Sequence, residues 1–258
     1  MHRVGMIDGR RIGVSGVPGF EGAPSLLNPL DRNFFGIMDH FLQMGFDAGG
    51  AIAPTGWLRR ETGGGLMQIA GVMGGVLLMR TAGGNNDNEQ ITLGGNANGA
   101  FFPQVNHDIF FEARVFTTLA AAAITTPNYG LGLIAPANAD YLADNGGAHP
   151  NNNFMGFFKR DGEGDIFFAG RNAGGGIDNN DLGIAWPDST WMTLGLHCYN
   201  VAAALVCDVY VNRVQIAAGT LATANIPIVG LMPFFAVKAG DANLEAINPD
   251  YIVCMQRL

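Results

Sequence analysis

Apolar and polar positions alternate along much of this chain, and the alternation has the period of a strand. In Asp108–Thr118 the odd positions Ile109, Phe111, Ala113 and Val115 make one apolar face, while the even positions carry Phe110, Glu112, Arg114 and Phe116. The clearest region runs from Trp191 to Leu258. It reads WMTLGLHCYN, a short gap, LVCDVYVN, RVQIAAG, GLMPFFAVKAG and DYIVCMQRL, strand-like runs divided by turns with no helical pattern between them. If Asn200 to Leu205 turns a hairpin, Cys198 faces Cys207, Leu196 faces Val209 and Leu194 faces Val211, so that one face is wholly apolar. The other face sets His197 against Asp208 and Gly195 against Tyr210. A strand pair with one apolar and one mixed face suits a half-buried antiparallel sheet.

Further strands are predicted over Leu66–Ala70, Val76–Thr81, Gln90–Leu93, Tyr129–Ala135, Phe154–Arg160, Asp165–Arg171, Val214–Ala218, Leu231–Lys238 and Tyr251–Gln256. Asp161-Gly162-Glu163-Gly164 joins two of them as a hairpin with an Asp-Gly turn. Many short strands, Gly/Asn turns and no alternating helices predict an all-β fold, an antiparallel β-sandwich or jelly roll. No fixed-period repeat is visible.

The N-terminal region reads differently. Residues 1–27 form an extended arm, because Gly5, Gly9, Gly13, Gly16, Pro18, Gly19, Gly22 and Pro24 interrupt every possible element. Such an arm is either disordered or laid along a neighbouring subunit. Residues 28–258 then make the sandwich domain. One short helix is expected at its start. Asn28 caps it, Pro29 suits its first position, and Leu30, Phe34, Met38 and Phe41 recur at helical spacing before Gly45. A short strand around His40 to Phe46 is the competing reading.

Composition narrows the function classes. Hydrophobic residues make up 48%, enough for a sizeable core, but charged residues only 14%, against about a quarter in an ordinary soluble domain. A surface so poor in charge is expected to be covered in part by partner subunits. The net charge is −8, and Lys159 and Lys238 are the only lysines. With no cluster of Lys and Arg, nucleic acid is not an expected partner, nor is an acidic lipid surface. The segment MHRVGMIDGRRIGV has no apolar core of a signal peptide, and no run of about 18 apolar residues occurs, so neither secretion nor a membrane span is expected. Cys198, Cys207 and Cys254 lie in strand-like runs beside apolar neighbours and read as buried free thiols. The alternative is a Cys198–Cys207 cross-strand disulfide.

The search for chemistry is mostly negative. Asp161, Glu163 and Asp165 have the alternate spacing of a calcium loop, but Ile166 and Asn172 stand where Gly and Glu are needed, so a polar turn is the reading. Asp140, Asp144 and Asn145 lie in a loop before His149 and read as solvated acids, with a cation site as the alternative. His2, His40, His107, His149 and His197 show no metal-ligand spacing. His197 with Asp208 reads as a surface cross-strand pair. Ser15, Ser25 and Ser189 lie in no nucleophile elbow. Sandwich glycanases need two carboxylates about 5–9 Å apart, and no strand carries an acidic ladder; Glu112 beside Arg114 suits an ion pair instead. The Gly63–Gly65 run lacks the Lys-Ser/Thr of a phosphate loop. Trp57, Trp186 and Trp191 read as packing residues, with sugar stacking as the alternative. The sequence thus names no catalytic, cofactor-binding or metal-binding residue, and the chain is expected not to be an enzyme.

An ordered set of motifs adds to this. GGVLLMRTAGGNNDNEQITLGG (Gly74–Gly95), FFEARVF (Phe110–Phe116), GLGL (Gly130–Leu133), DNGG (Asp144–Gly147), the Trp191 strand, PFFAVKAG and DYIVCMQ resemble tailed-bacteriophage virion structural proteins of the head-decoration type. The likeness spans roughly residues 60–258. It implies a concanavalin A-like, laminin-G-like jelly roll with no catalytic residues. It further implies a capsid decoration or cement protein on the outer surface of the virion, assembled in the host bacterial cytoplasm. The implied partners are the major capsid protein and the chain's own copies, as a homo-oligomer such as a trimer. Net acidity fits the outside of a capsid better than its DNA-lined interior. The alternative expectation is a carbohydrate-binding module of a tail fibre or receptor-binding protein, and a polysaccharide depolymerase is a third.

Overall fold

The computed structural model describes residues 34–46, 52–54, 56–69, 75–93, 99–118 and 127–257, apart from residues 105, 138, 145, 149, 150, 173–176, 202, 203, 218–220 and 222. Two antiparallel sheets form a sandwich. The first runs in the order β15 (Val214–Gln215), β14 (Ala204–Val211), β13 (Trp191–Val201), β8 (Ile109–Thr118), β17 (Ala246–Arg257), β6 (Leu77–Arg80) and β5 (Leu66–Ile69), with β1 (Phe34–Asp39) also paired to β17. The second runs β12 (Ile177–Ala185), β11 (Asp165–Arg171), β10 (Asn153–Lys159), β9 (Asn128–Ala135), β16 (Met232–Lys238), β7 (Asn88–Leu93) and β4 (Trp57–Thr62). A small ribbon pairs β2 (Met44–Phe46) with β3 (Ile52–Pro54).

The hairpin register derived from the sequence is the one observed. Leu194 faces Val211, Leu196 faces Val209, His197 faces Asp208 and Cys198 faces Cys207. Leu194, Leu196, Cys198, Cys207 and Val209 are buried between the sheets with Phe111, Leu131, Phe157, Phe168 and Phe235. The three cysteines are free thiols. Burial pushes the pKa of the Cys207 and Cys254 thiols well above the usual range, keeping them protonated. Cys207 packs its sulfur 3.2 Å from that of Met155.

The short helix is a correction. Phe34–Asp39 is a strand, paired residue by residue with Ile252–Arg257 of β17. The competing strand near His40–Phe46 is closer, since Met44–Phe46 is a strand. The helical spacing of Phe34, Met38 and Phe41 was outweighed by two-residue alternation: Phe35 and Ile37 turn toward the core, while Met38 stays exposed. The ladder on β17 also supplies backbone partners that a lone short helix would lack. Thr223–Asn225 is a 3-10 turn. The arm, residues 1–27, lies outside the described residues.

The interior is not purely apolar. Arg59 Nε and Nη2 donate to Glu89 at 2.6 Å, and Nη2 also reaches Glu61. Burial pushes the Glu89 carboxyl up to about 7 against the pull of Arg59. Lys159 is fully buried and donates to Pro127 O at 2.8 Å. Burial lowers its ammonium to about 8.

Candidate functional site

Each sheet has an outer face, turned away from the interior, and the two differ. On the second sheet that face is apolar and covered. Ile134, Phe154, Phe158, Phe167, Phe234 and Ala236 pack with Tyr141, Leu142 and Ala148 of the segment following β9. Gly130 makes room, since a Cβ there would lie 2.7 Å from Leu142 Cδ2. Polar residues of β7 and β16 lock the cover. The Tyr141 hydroxyl is 3.0 Å from Thr92 Oγ1, and Tyr141 N donates to Gln90 Oε1 at 2.9 Å. Gln90 in turn donates to Ala139 O, and Asn88 Nδ2 donates to Asp140 at 2.9 Å. Lys238, buried, is bonded to Asp144 and lies 3.6 Å from Asp140. The two loop acids, read as solvated with a cation site as the alternative, are both partly exposed and share one lysine; Asn145 and His149 lie outside the described residues.

Among the described residues the outer face of the first sheet is more open. Residues 191, 193, 195, 197 and 199 of β13 point this way because 192, 194, 196 and 198 point inward. At one end of the face is a depression of about 500 Å³ lined by Asn106, Asp108, His197, Tyr199, Asn200 and Arg257. Three elements build it. β13 supplies His197, Tyr199 and Asn200, the residues entering β8 supply Asn106 and Asp108, and β17 ends in Arg257. Arg257 N donates to Asp108 O at 2.8 Å, and His107 Nδ1 lies 3.1 Å from Arg257 O, fixing the rim.

The His197 ring is stacked between Phe110 (4.2 Å) and Tyr199 (4.5 Å). Its Nε2 stands 4.0 Å from Asp108. Burial lowers its basicity, and the nearby Asp108 and Asp208 oppose that shift. Asp108 thus joins Asp208, the cross-strand partner predicted from the sequence, as an acid near the histidine. Arg257 Nη1 is 3.9 Å from the same Asp108 oxygen. Asn200 Oδ1 has no hydrogen-bond partner among the described residues.

Further along the face, Glu112 and Arg114 do not pair with each other as the sequence suggested. Glu112 accepts from the Tyr251 hydroxyl at 2.6 Å and lies 3.6 Å from Arg213. Arg114 donates to Asp250 at 2.9 Å and stacks on Trp191 at 4.5 Å. The reason is the strand order: β17 and the β14–β15 turn bring in partners far along the chain. Burial raises the Glu112 carboxyl, opposed by the Tyr251 bond and Arg213, and holds the Tyr251 phenol up at about 12.

The tryptophans divide. Trp57 is buried against Phe41 and Phe235 and donates to Asp39 at 2.8 Å. Trp186 is buried, stacks on Tyr129 at 5.4 Å and donates to Thr117 Oγ1 at 3.1 Å. Trp191 keeps partial exposure on the open face. Asp161, Glu163 and Asp165 lie at the β10–β11 turn, where Glu163 N donates to Arg160 O at 3.2 Å. Ser189 lies in a left-handed turn and bonds Asp188. Among the described residues no group of three His, Cys, Asp or Glu side chains is placed to hold a metal ion. Sequence reasoning missed Asp108, Tyr199 and Arg257 as a group; alternation did place Tyr199 on the face of His197, but the Asp108 contact depends on which strand lies beside β13.

No protein-family model matches the chain, and no curated protein matches it. Solved structures do. The carbohydrate recognition domain of Emp46p in its potassium-bound form superposes with a TM-score of 0.53 at 10% identity, over 84% of this chain and 94% of that one. The lectin UEA-II, complexed with galactose, gives 0.53 at 9% identity, over 87% and 99%. An endo-1,3-β-glucanase from Streptomyces sioyaensis gives 0.53 at 13% identity, over 88% and 97%. These likenesses establish the fold, a concanavalin A-like β-sandwich. They also correct the expectation that the chain is not an enzyme. A glucanase shares the architecture, so a missing acidic ladder on one strand does not settle the class.

Proposed function

We propose that this chain is a carbohydrate-binding module of the lectin type, with the depression beside Tyr199 as its site. One observation carries the reading: a half-exposed aromatic ring stands beside planar polar side chains, Asp108, Asn106, Asn200 and Arg257, around one concavity. A sugar offers an apolar C–H face to such a ring and hydroxyls to such groups. A carbohydrate recognition domain and a galactose-bound lectin share this fold, which agrees with it. Tryptophans 57 and 186 take no part, because both are packing residues. A glycan array followed by titration tests the reading. Saturable binding is expected, reduced at least about tenfold in Tyr199→Ala with its circular dichroism unchanged. Binding indifferent to Tyr199→Ala, or no binding to any glycan, would count against it.

A second reading has its own support. The ordered motifs of residues 60–258 resemble phage head-decoration proteins, and the chain is charge-poor with Leu42, Val214 and Ile228 largely exposed. On this reading the chain is a homo-oligomer, such as a trimer, seated on the major capsid protein of a virion. Cosedimentation with capsids lacking the protein tests it: stoichiometric binding is expected, and none would remove the reading.

A further inference from the structure

We propose that the outer face of the first sheet binds a linear anionic polysaccharide, laid along β13 from Tyr199 to Trp191. The inference rests on the carbohydrate-binding reading and extends it from one sugar to a chain and from any sugar to an acidic one.

Length comes first. Tyr199 and Trp191 project from the same face of one strand, eight residues apart. At about 3.3 Å per residue they stand roughly 26 Å apart, too far for a single sugar ring to bridge. Between them, Tyr210 and Tyr251 pack over Phe110, Val253 and Met255 and keep partial exposure. Partly exposed aromatic rings therefore recur along the face, as a chain of sugar rings requires.

Charge comes second. Three arginines sit on this face, each near a carboxylate, and in each pair the arginine is the outer member. Arg257 is 57% exposed over Asp108 at 25%, Arg213 47% over Glu112 at 2%, and Arg114 40% over Asp250 at 18%. Arg257 lies 3.9 Å and Arg213 3.6 Å from its acid, and Arg213 Nη2 also donates to the Tyr251 hydroxyl at 3.4 Å, so each guanidinium keeps further N–H donors for a ligand. A guanidinium carries five donors and suits carboxylate or sulfate. On a chain of net charge −8, these outward arginines give the face local contacts for anions, while Asp208, partly exposed beside His197 and Tyr199, confines that complementarity to the surroundings of the three guanidinium groups.

The test is a calorimetric titration of the full chain with a galacturonate octamer, a sulfated glucan octamer, the galacturonate dimer and a neutral glucan octamer. At least one acidic octamer is expected to bind about tenfold or more tighter than both the dimer and the neutral octamer, and to weaken as salt is raised. Trp191→Ala and Arg213→Gln are expected to weaken the acidic octamer several-fold and leave the dimer unchanged, whereas Tyr199→Ala weakens both. Equal affinity for dimer and octamer, or for neutral and acidic octamers, overturns the inference while leaving carbohydrate binding intact. No binding by any of the four, and none on the glycan array, removes both. The wild-type length and charge series decides the matter even if a variant fails to fold.

Discussion

The Tyr251 hydroxyl donates to Glu112 over 2.6 Å, joining β17 to β8 across an otherwise apolar patch. Glu112 is 2% exposed, with Arg213 as its other partner at 3.6 Å. Removing the hydroxyl leaves a buried carboxylate short of a bond. Tyr251→Phe is expected to cost about 2 kcal/mol near neutral pH. The cost should shrink in acid, because a protonated Glu112 needs the bond less. Denaturant unfolding at two pH values measures both; equal costs at both would contradict the assignment.

Glu89 gives a second pH signature. Its folded carboxyl is raised from 4.5 to about 7, chiefly by burial. The native state therefore holds this proton more tightly than the unfolded chain does. Its contribution to stability is complete below the unfolded value and is lost as pH rises through the folded value. Between about pH 4.5 and 7 this group is expected to remove about 3 kcal/mol. Glu89→Gln should flatten the stability profile in that window, and an unchanged slope would exclude Glu89 as its source.

The cover on the second sheet is held by identifiable groups, so it can be loosened alone. Gln90→Ala removes bonds to both Ala139 and Tyr141. Faster amide exchange is expected at residues 139–144 than in the wild type, with β9 and β16 still protected. Uniform loss of protection over both sheets would instead place Gln90 in the global core.

Cys198 and Cys207 are directly opposed but free. Both are buried, and neither should react with a thiol reagent until the protein unfolds. Melting temperatures with and without reductant are expected to agree; a fall with reductant would reveal a bridge.

Much of the fold was legible because alternation is a local signal. The β13–β14 register followed from residue numbers alone, since a short hairpin leaves little freedom. The N-terminal helix failed for the opposite reason. Phe34–Asp39 is fixed by the last strand, more than 200 residues away, and no window around Phe34 contains that partner. Trp57–Thr62 and Ile177–Ala185 were missed as well. The first carries Arg59, Arg60 and Glu61 in succession, and the second is rich in Asn and Asp, so neither advertises a strand. The site was less legible than the fold. Tyr199 and His197 share a face by parity, but Asp108 and Arg257 join them only through the order β13, β8, β17. The open face of the first sheet and the covered face of the second also depend on where loops return, which composition does not encode.

Amide chemical-shift mapping with a bound oligosaccharide tests the central claim most directly. If the depression on the first sheet is the sugar site, the largest shifts fall on Asn106, Asp108, His197, Tyr199 and Asn200. The buried indole N–H signals of Trp57 and Trp186 should then stay in place. Shifts concentrated on residues 139–148 over the second sheet, with Tyr199 unmoved, would contradict it.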